Sequence, residues 1–187
     1  MTEPLNWETE MRLFLKQWLT GLIIGLKDQN EEIQTQILKN CGVACAHPQA
    51  ADFFKKAWSK SKSFEDFIQV LNQKYACEVF KQQSDGSVQV QFSKCYCPFR
   101  QFNVIESSLF QICSNAWLQE VFESALNVPV NVTTKKTLCC GAEKCEFSIT
   151  FPSSDIRHLA ECQSYLKEAL RMRYTLDKEF FDSERPI

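Results

Sequence analysis

The stretch "ACEVFKQQSDGSVQVQFSKCYC", residues 76–97, is where the apolar period of this chain changes from helical to extended. Val88, Val90 and Phe92 alternate with glutamines, and Asp85-Gly86 separates two such runs, the pattern of a β-hairpin closed by a tight turn. Everything before it reads as helix. From Trp7, the residues Met11, Phe14, Leu15, Trp18, Leu22 and Leu26 recur at helical spacing and describe one long amphipathic helix. Asp28, with Glu31 three residues on, is expected to cap a second helix. That helix carries Ile33, Ile37, Cys41 and Cys45, each four residues after the last. Both cysteines are therefore expected to face inward, and Gly42 lets another element approach closely. Pro48 marks a break before a short helix with Phe53, Phe54 and Trp58. "SKSFEDFIQVLNQ" (61–73) reads as a further helix, capped by Ser61 or Ser63, that buries Phe64, Phe67, Ile68 and Leu71.

After the hairpin the helical period returns in "ESSLFQICSNAWLQEVFESALN" (106–127), with Ser107 as its expected cap and Leu109, Ile112, Cys113 and Ala116 on one face. "VPVNVTTKKTLCCGAEKCEFSITF" (128–151) reads as a second hairpin, in which the loop "GAEK" would set Cys140 opposite Cys145. A last helix is expected over residues 155–174. This order predicts an α+β fold, an antiparallel sheet from two hairpins packed with several α-helices. One domain, 1–187, is expected: a helical half (1–75), a sheet-containing half (76–174) and a charged tail (175–187).

With 187 residues, 44% of them hydrophobic, the chain can bury a sizeable core. A net charge of −2 leaves no global electrostatic footprint for nucleic acid. The opening "MTEPLNWETEMRLF" lacks the pattern of a secretory signal, and "WLTGLIIGL" (18–26) is far shorter than a membrane span needs. The expected address is cytoplasmic, where ten cysteines are expected to stay reduced.

"KNCGVACAHP" (39–48) then admits three readings: a buried helix face, half of a metal site, or an activated thiol. Residues i and i+4 on a helix stand about 6 Å apart at Cβ, so Cys41 and Cys45 can share an ion. Residues i and i+2 on a strand share a face about 6.6 Å apart, so Cys95 and Cys97 can do likewise. These four, with Cys113 as substitute or fifth thiol, are the candidate metal ligands, and four thiolates suit zinc or an iron–sulfur cluster. Plain burial of free cysteines as small hydrophobes stands beside that reading. His47 is either a further ligand or a surface or capping residue. Cys140 and Cys145 either bridge or stay as thiols, and Cys77 and Cys162 read as core residues. No Gly-rich phosphate loop, nucleophile elbow or His-Glu-x-x-His helix is present.

Residues 96–151 carry Cys113-Ser114-x-x-Trp117, the passage "FESALNVPVNV", and the closing Gly141, Cys145, Phe147 and Ile149. This segment resembles the end of 4-vinyl reductase-type small-molecule-binding domains, and more closely the related L-2-amino-thiazoline-4-carboxylic acid hydrolase-like proteins. Gln111 and Ala116 depart from the pattern of those relatives. The resemblance implies the fold shared by nitric-oxide-sensing and Golgi-transport ligand-binding domains, with helices on an antiparallel sheet around an internal pocket, and pairing into a homodimer. The function expected is a cytosolic small-molecule-binding or sensor domain with a cysteine-ligated metal or iron–sulfur site. The alternatives are a hydrolase acting on a small thiazoline or amide-like substrate, and an interaction module without catalysis.

Overall fold

A computed structural model describes residues 6–75, 79–101 and 108–152. Among them six α-helices accompany one four-stranded antiparallel sheet, the α+β class expected from the change of period. The helices are α1 (Trp7–Lys27), α2 (Glu31–Ala46), α3 (Gln49–Lys60), α4 (Phe64–Tyr75), α5 (Pro98–Gln101) and α6 (Phe110–Leu126). The strands are β1 (Phe80–Gln82), β2 (Val88–Phe92), β3 (Asn131–Lys136) and β4 (Cys145–Thr150), in the order β1-β2-β4-β3. The two hairpins thus join through β2 and β4, which pair from Val88↔Ile149 to Phe92↔Cys145.

Local chemistry fixes the element ends. Asn6 accepts from the Glu8 amide at the start of α1, and Asn30 accepts from the Ile33 amide at 2.9 Å, so Asn30 caps α2 while Asp28 closes α1. Ser63 accepts from the Asp66 amide and Asp66 accepts from the Lys62 amide, a reciprocal box that opens α4. Ser61 instead ends α3, where its hydroxyl donates to the Ala57 carbonyl. Gly86, at φ 84, and the Asp85 carboxylate, which accepts from Ser87, make the first hairpin's turn. The second connection differs from the expected four-residue loop. Leu138–Cys140 form a short 3-10 turn, so Cys140 is exposed off the strand rather than opposite Cys145. The Leu138 amide donates to the Cys145 sulfur at 3.3 Å. Ser107, the helix expected over 155–174, the charged tail, Cys77 and Cys162 lie outside the described residues.

The core lies between the sheet and helices α3, α4 and α6. Val88, Val90, Phe147 and Ile149 face it from the strands, as their alternation predicts. Phe54 sits at its centre, edge-on to Phe53, Phe67, Phe80, Trp117 and Phe122. Rings in that geometry add about 0.5–1.5 kcal/mol per pair beyond the area they bury. A cavity of about 530 Å³ opens to one side, between the start of α6 and β3.

The face that α2 buries differs from the expectation. Leu38, Gly42 and Ala46 are buried, whereas Ile33, Ile37, Cys41 and Cys45 are exposed as residues. The reason is steric. A Cβ on Gly42 would collide with the Cys113 carbonyl oxygen and lie 2.7 Å from the Ala116 Cβ. The helices approach most closely at the residue without a side chain, and that sets the rotation of α2. The long α1 is also rotated: Leu19 and Leu26 are buried, while Phe14, Trp18 and Leu22 are exposed. Leu15, Ile23 and Phe110 pack against the buried Leu19.

Candidate functional site

The α2–α6 crossing assembles a group of thiols. Cys41 and Cys45 flank Gly42, and Cys113 lies directly beneath it on α6. Cys97, just before α5, completes the group. Burial pushes the Cys113 thiol up to about 12, and the nearby Cys45, Cys41 and Cys97 push the same way. The Cys45 thiol is raised by burial, then by Cys97 and Cys41. Four of the five candidate ligands therefore share one neighbourhood. It is built from two helices and the segment following β2.

Cys95 turns elsewhere. Burial raises its thiol and a hydrogen bond from the Cys97 amide lowers it, while Cys97 and Cys145 raise it and Arg100 lowers it. Burial likewise raises Cys139, with Cys95 as the next cause, and raises Cys145. A second set of thiols, Cys95, Cys139 and Cys145, thus adjoins the first through the Cys95-Tyr96-Cys97 tripeptide. Cys139 carries no periodic signal in the sequence; the 3-10 turn brings it here. Among the described residues no group of three His, Cys, Asp or Glu side chains stands ready to hold a metal ion. The thiols are close enough to sense each other's charge, but they do not form a preset cage.

The activated-thiol reading meets a direct difficulty. A nucleophilic cysteine needs a lowered pKa, and Cys45, Cys95, Cys113, Cys139 and Cys145 are all raised. His47 does not serve a thiol either. Its Nε2 lies 2.6 Å from Glu120 Oε1, which ties the end of α2 to α6. Burial alone would raise the Glu120 carboxyl, but hydrogen bonds from Ser124 and His47 outweigh it, and the net shift is downward. His47 is thus a surface residue with a structural partner, one of the two roles its position allowed.

Among the described residues no helix is long and apolar enough to cross a membrane. Residues 14–156 match the sequence profile of a family of unknown function, DUF6144. No curated protein matches the chain. Among solved structures, a trafficking protein particle complex subunit 3 from Naegleria fowleri, covalently bound to palmitic acid, is similar at a TM-score of 0.47 and 15% identity, covering 78% of this chain and 97% of that one.

Proposed function

We propose that this chain, which belongs to the DUF6144 family, is a small-molecule-binding or sensor domain whose chemistry centres on sulfur. Cys41, Cys45, Cys97 and Cys113 would be the ligands of one zinc ion or an iron–sulfur cluster. The observation that supports this reading is the Gly42 crossing, near which thiols from three separate segments stand close enough to raise the Cys113 pKa. Zinc takes four thiolates at about 2.3 Å in a tetrahedron. The side chains would turn inward about χ1 as they lose their protons, so uptake releases protons and strengthens as pH rises. The resemblance of residues 96–151 to 4-vinyl reductase-type modules supports the small-molecule half of the reading.

The test is elemental analysis and a visible spectrum on protein purified without oxygen or added metal. About one zinc per chain, or a brown protein with iron and sulfide, supports the proposal, and Cys113→Ser and Cys97→Ser should each lower the content severalfold. If all ten thiols titrate freely and the protein takes up neither added zinc nor reconstituted iron and sulfide, the proposal is wrong.

A second reading concerns assembly. Trp7, Phe14, Trp18 and Leu22 are exposed along one face of α1, and on that face no described residue comes within 4 Å of where a side chain at Gly21 or Gly25 would begin. An apolar helix face with two open glycines four apart suits close approach of a second α1 about a two-fold axis, and we propose a homodimer formed there.

A further inference from the structure

The cavity beside the core has features that the thiol site does not use. It is lined by Gln111, Ile112 and Asn115 from the start of α6 and by residues 132–137 of β3 and its end, with Cys140 and Ala142 at the rim. Its volume of about 530 Å³ falls in the range of small-molecule sites. Four details of its wall point to a ligand. The β3–β4 register runs Thr134↔Phe147 and then Lys136↔Glu146, so Lys135 is the extra residue of a β-bulge. Bulges re-aim a side chain at the cost of a ladder bond, and they gather near functional sites. Lys136 pairs with Glu146 at 3.4 Å, whereas Lys135 has no acidic partner among the described residues.

The third detail is Thr137. It is only 3% exposed, and its Oγ1 has no hydrogen-bond partner among the described residues. A buried hydroxyl left unmatched costs about 1–3 kcal/mol, so a partner beyond the described residues is a physical expectation, and a ligand in the cavity is one that could meet it. The fourth is the opening turn of α6. It carries no acidic residue of its own and lines the cavity with Gln111 and Ile112, so nothing within that turn opposes the positive end of the helix dipole. Asn115, one turn further on, is oriented by the Thr134 hydroxyl, which donates to its Oδ1 at 2.6 Å and leaves the amide nitrogen for another acceptor.

We propose that the cavity between α6 and β3 binds a small organic anion, a carboxylate- or phosphate-bearing molecule. Lys135 supplies the counter-charge, and Gln111, Asn115 and Thr137 supply the hydrogen bonds. Ile112, Val132 and Ala142 give it room for an apolar portion. This site is separate from the four-thiol group, so either can stand without the other.

The test follows amide resonances during titration with inorganic phosphate and with acetate, at ionic strength held constant with sodium chloride. Saturable shifts confined to residues 111–115 and 132–137 are expected with at least one of the two. Phosphate alone would assign a phosphate-bearing ligand, acetate alone a carboxylate. Lys135→Ala, at an exposed position, should weaken the binding about tenfold or more. Thr137→Val should weaken it severalfold, and Lys60→Ala, on α3, should leave it unchanged. Absent or non-saturating shifts with both probes, or binding unaltered in Lys135→Ala, would overturn the proposal. Cys113→Ser, which tests the metal, should not alter this titration.

Discussion

Gly42 is the residue at which α2 has least freedom to change. A Cβ there meets backbone atoms of α6, the Cys113 carbonyl oxygen and the Trp117 nitrogen at 3.0 Å, and backbone does not move aside as a side chain does. Gly42→Ala should therefore cost about 1–3 kcal/mol, read as a lower urea midpoint, despite alanine's better helix propensity. Cys113 beside it makes a pH prediction. Its thiol is raised from an ordinary 9.0 to about 12, so the folded chain holds the proton more tightly than the unfolded one. That contribution to stability is fully present below pH 9 and is lost as pH rises toward 12. In the metal-free protein, melting temperatures of the wild type and Cys113→Ala, compared from pH 8 to 11, should converge in the upper half of that range. The sequence made Cys41 with Cys45 and Cys95 with Cys97 visible as candidates because i,i+4 and i,i+2 spacing is a local property, and it offered Cys113 from the face of the following helix. It could not separate Cys95 from the rest, because that division depends on where the chain goes after Phe92 and on the 3-10 turn at Leu138–Cys140.

Elements were legible where their signal is local and strong. The Asp85-Gly86 turn, the alternation of Val88, Val90 and Phe92, and the helical run around Phe67 appear as read, whereas α6 forms as expected but buries Leu118, Val121, Phe122, Ala125 and Leu126 rather than Leu109, Ile112 and Cys113. The rotation of α1 and α2 was not, because both helices are apolar on more than one side and only packing decides which side goes in. Asn72 illustrates a tie that no pattern reveals. From the last turn of α4 it accepts from the Val79 and Phe80 amides at 2.9 and 2.8 Å and donates to the Phe80 carbonyl at 2.8 Å, which fastens the start of β1 to the helix. Asn72→Ala should cost about 1–3 kcal/mol and expose the residue 79–82 amides to faster hydrogen exchange. An unchanged exchange rate there would mean that β1 is held by β2 alone.

Taken together, the packing is uneven. The aromatic core ties α3, α4 and α6 to the sheet, while among the described residues α1 packs through Leu15, Leu19 and Ile23 with Phe110 and offers Phe14, Trp18 and Leu22 outward. Phe14→Glu with Trp18→Glu should turn a concentration-dependent sedimentation coefficient into that of a 21.7 kDa monomer without lowering the thermal midpoint by more than a few degrees. A wild-type protein already monomeric at high concentration would remove the α1 dimer.

The tryptophans divide along the same line. Trp7 and Trp18 are exposed on α1, Trp58 is buried, and half-buried Trp117 stands edge-on to Phe54 one helical turn past Cys113. The chain consequently carries its own optical gauge. Iodide will extinguish the α1 emission first, and what remains comes from Trp58 in the core and from Trp117 beside the α2–α6 crossing. A coloured iron centre at the four thiols would dim that residual light by energy transfer, whereas zinc would leave its brightness intact. Fluorescence alone can thus distinguish the two occupants without any label.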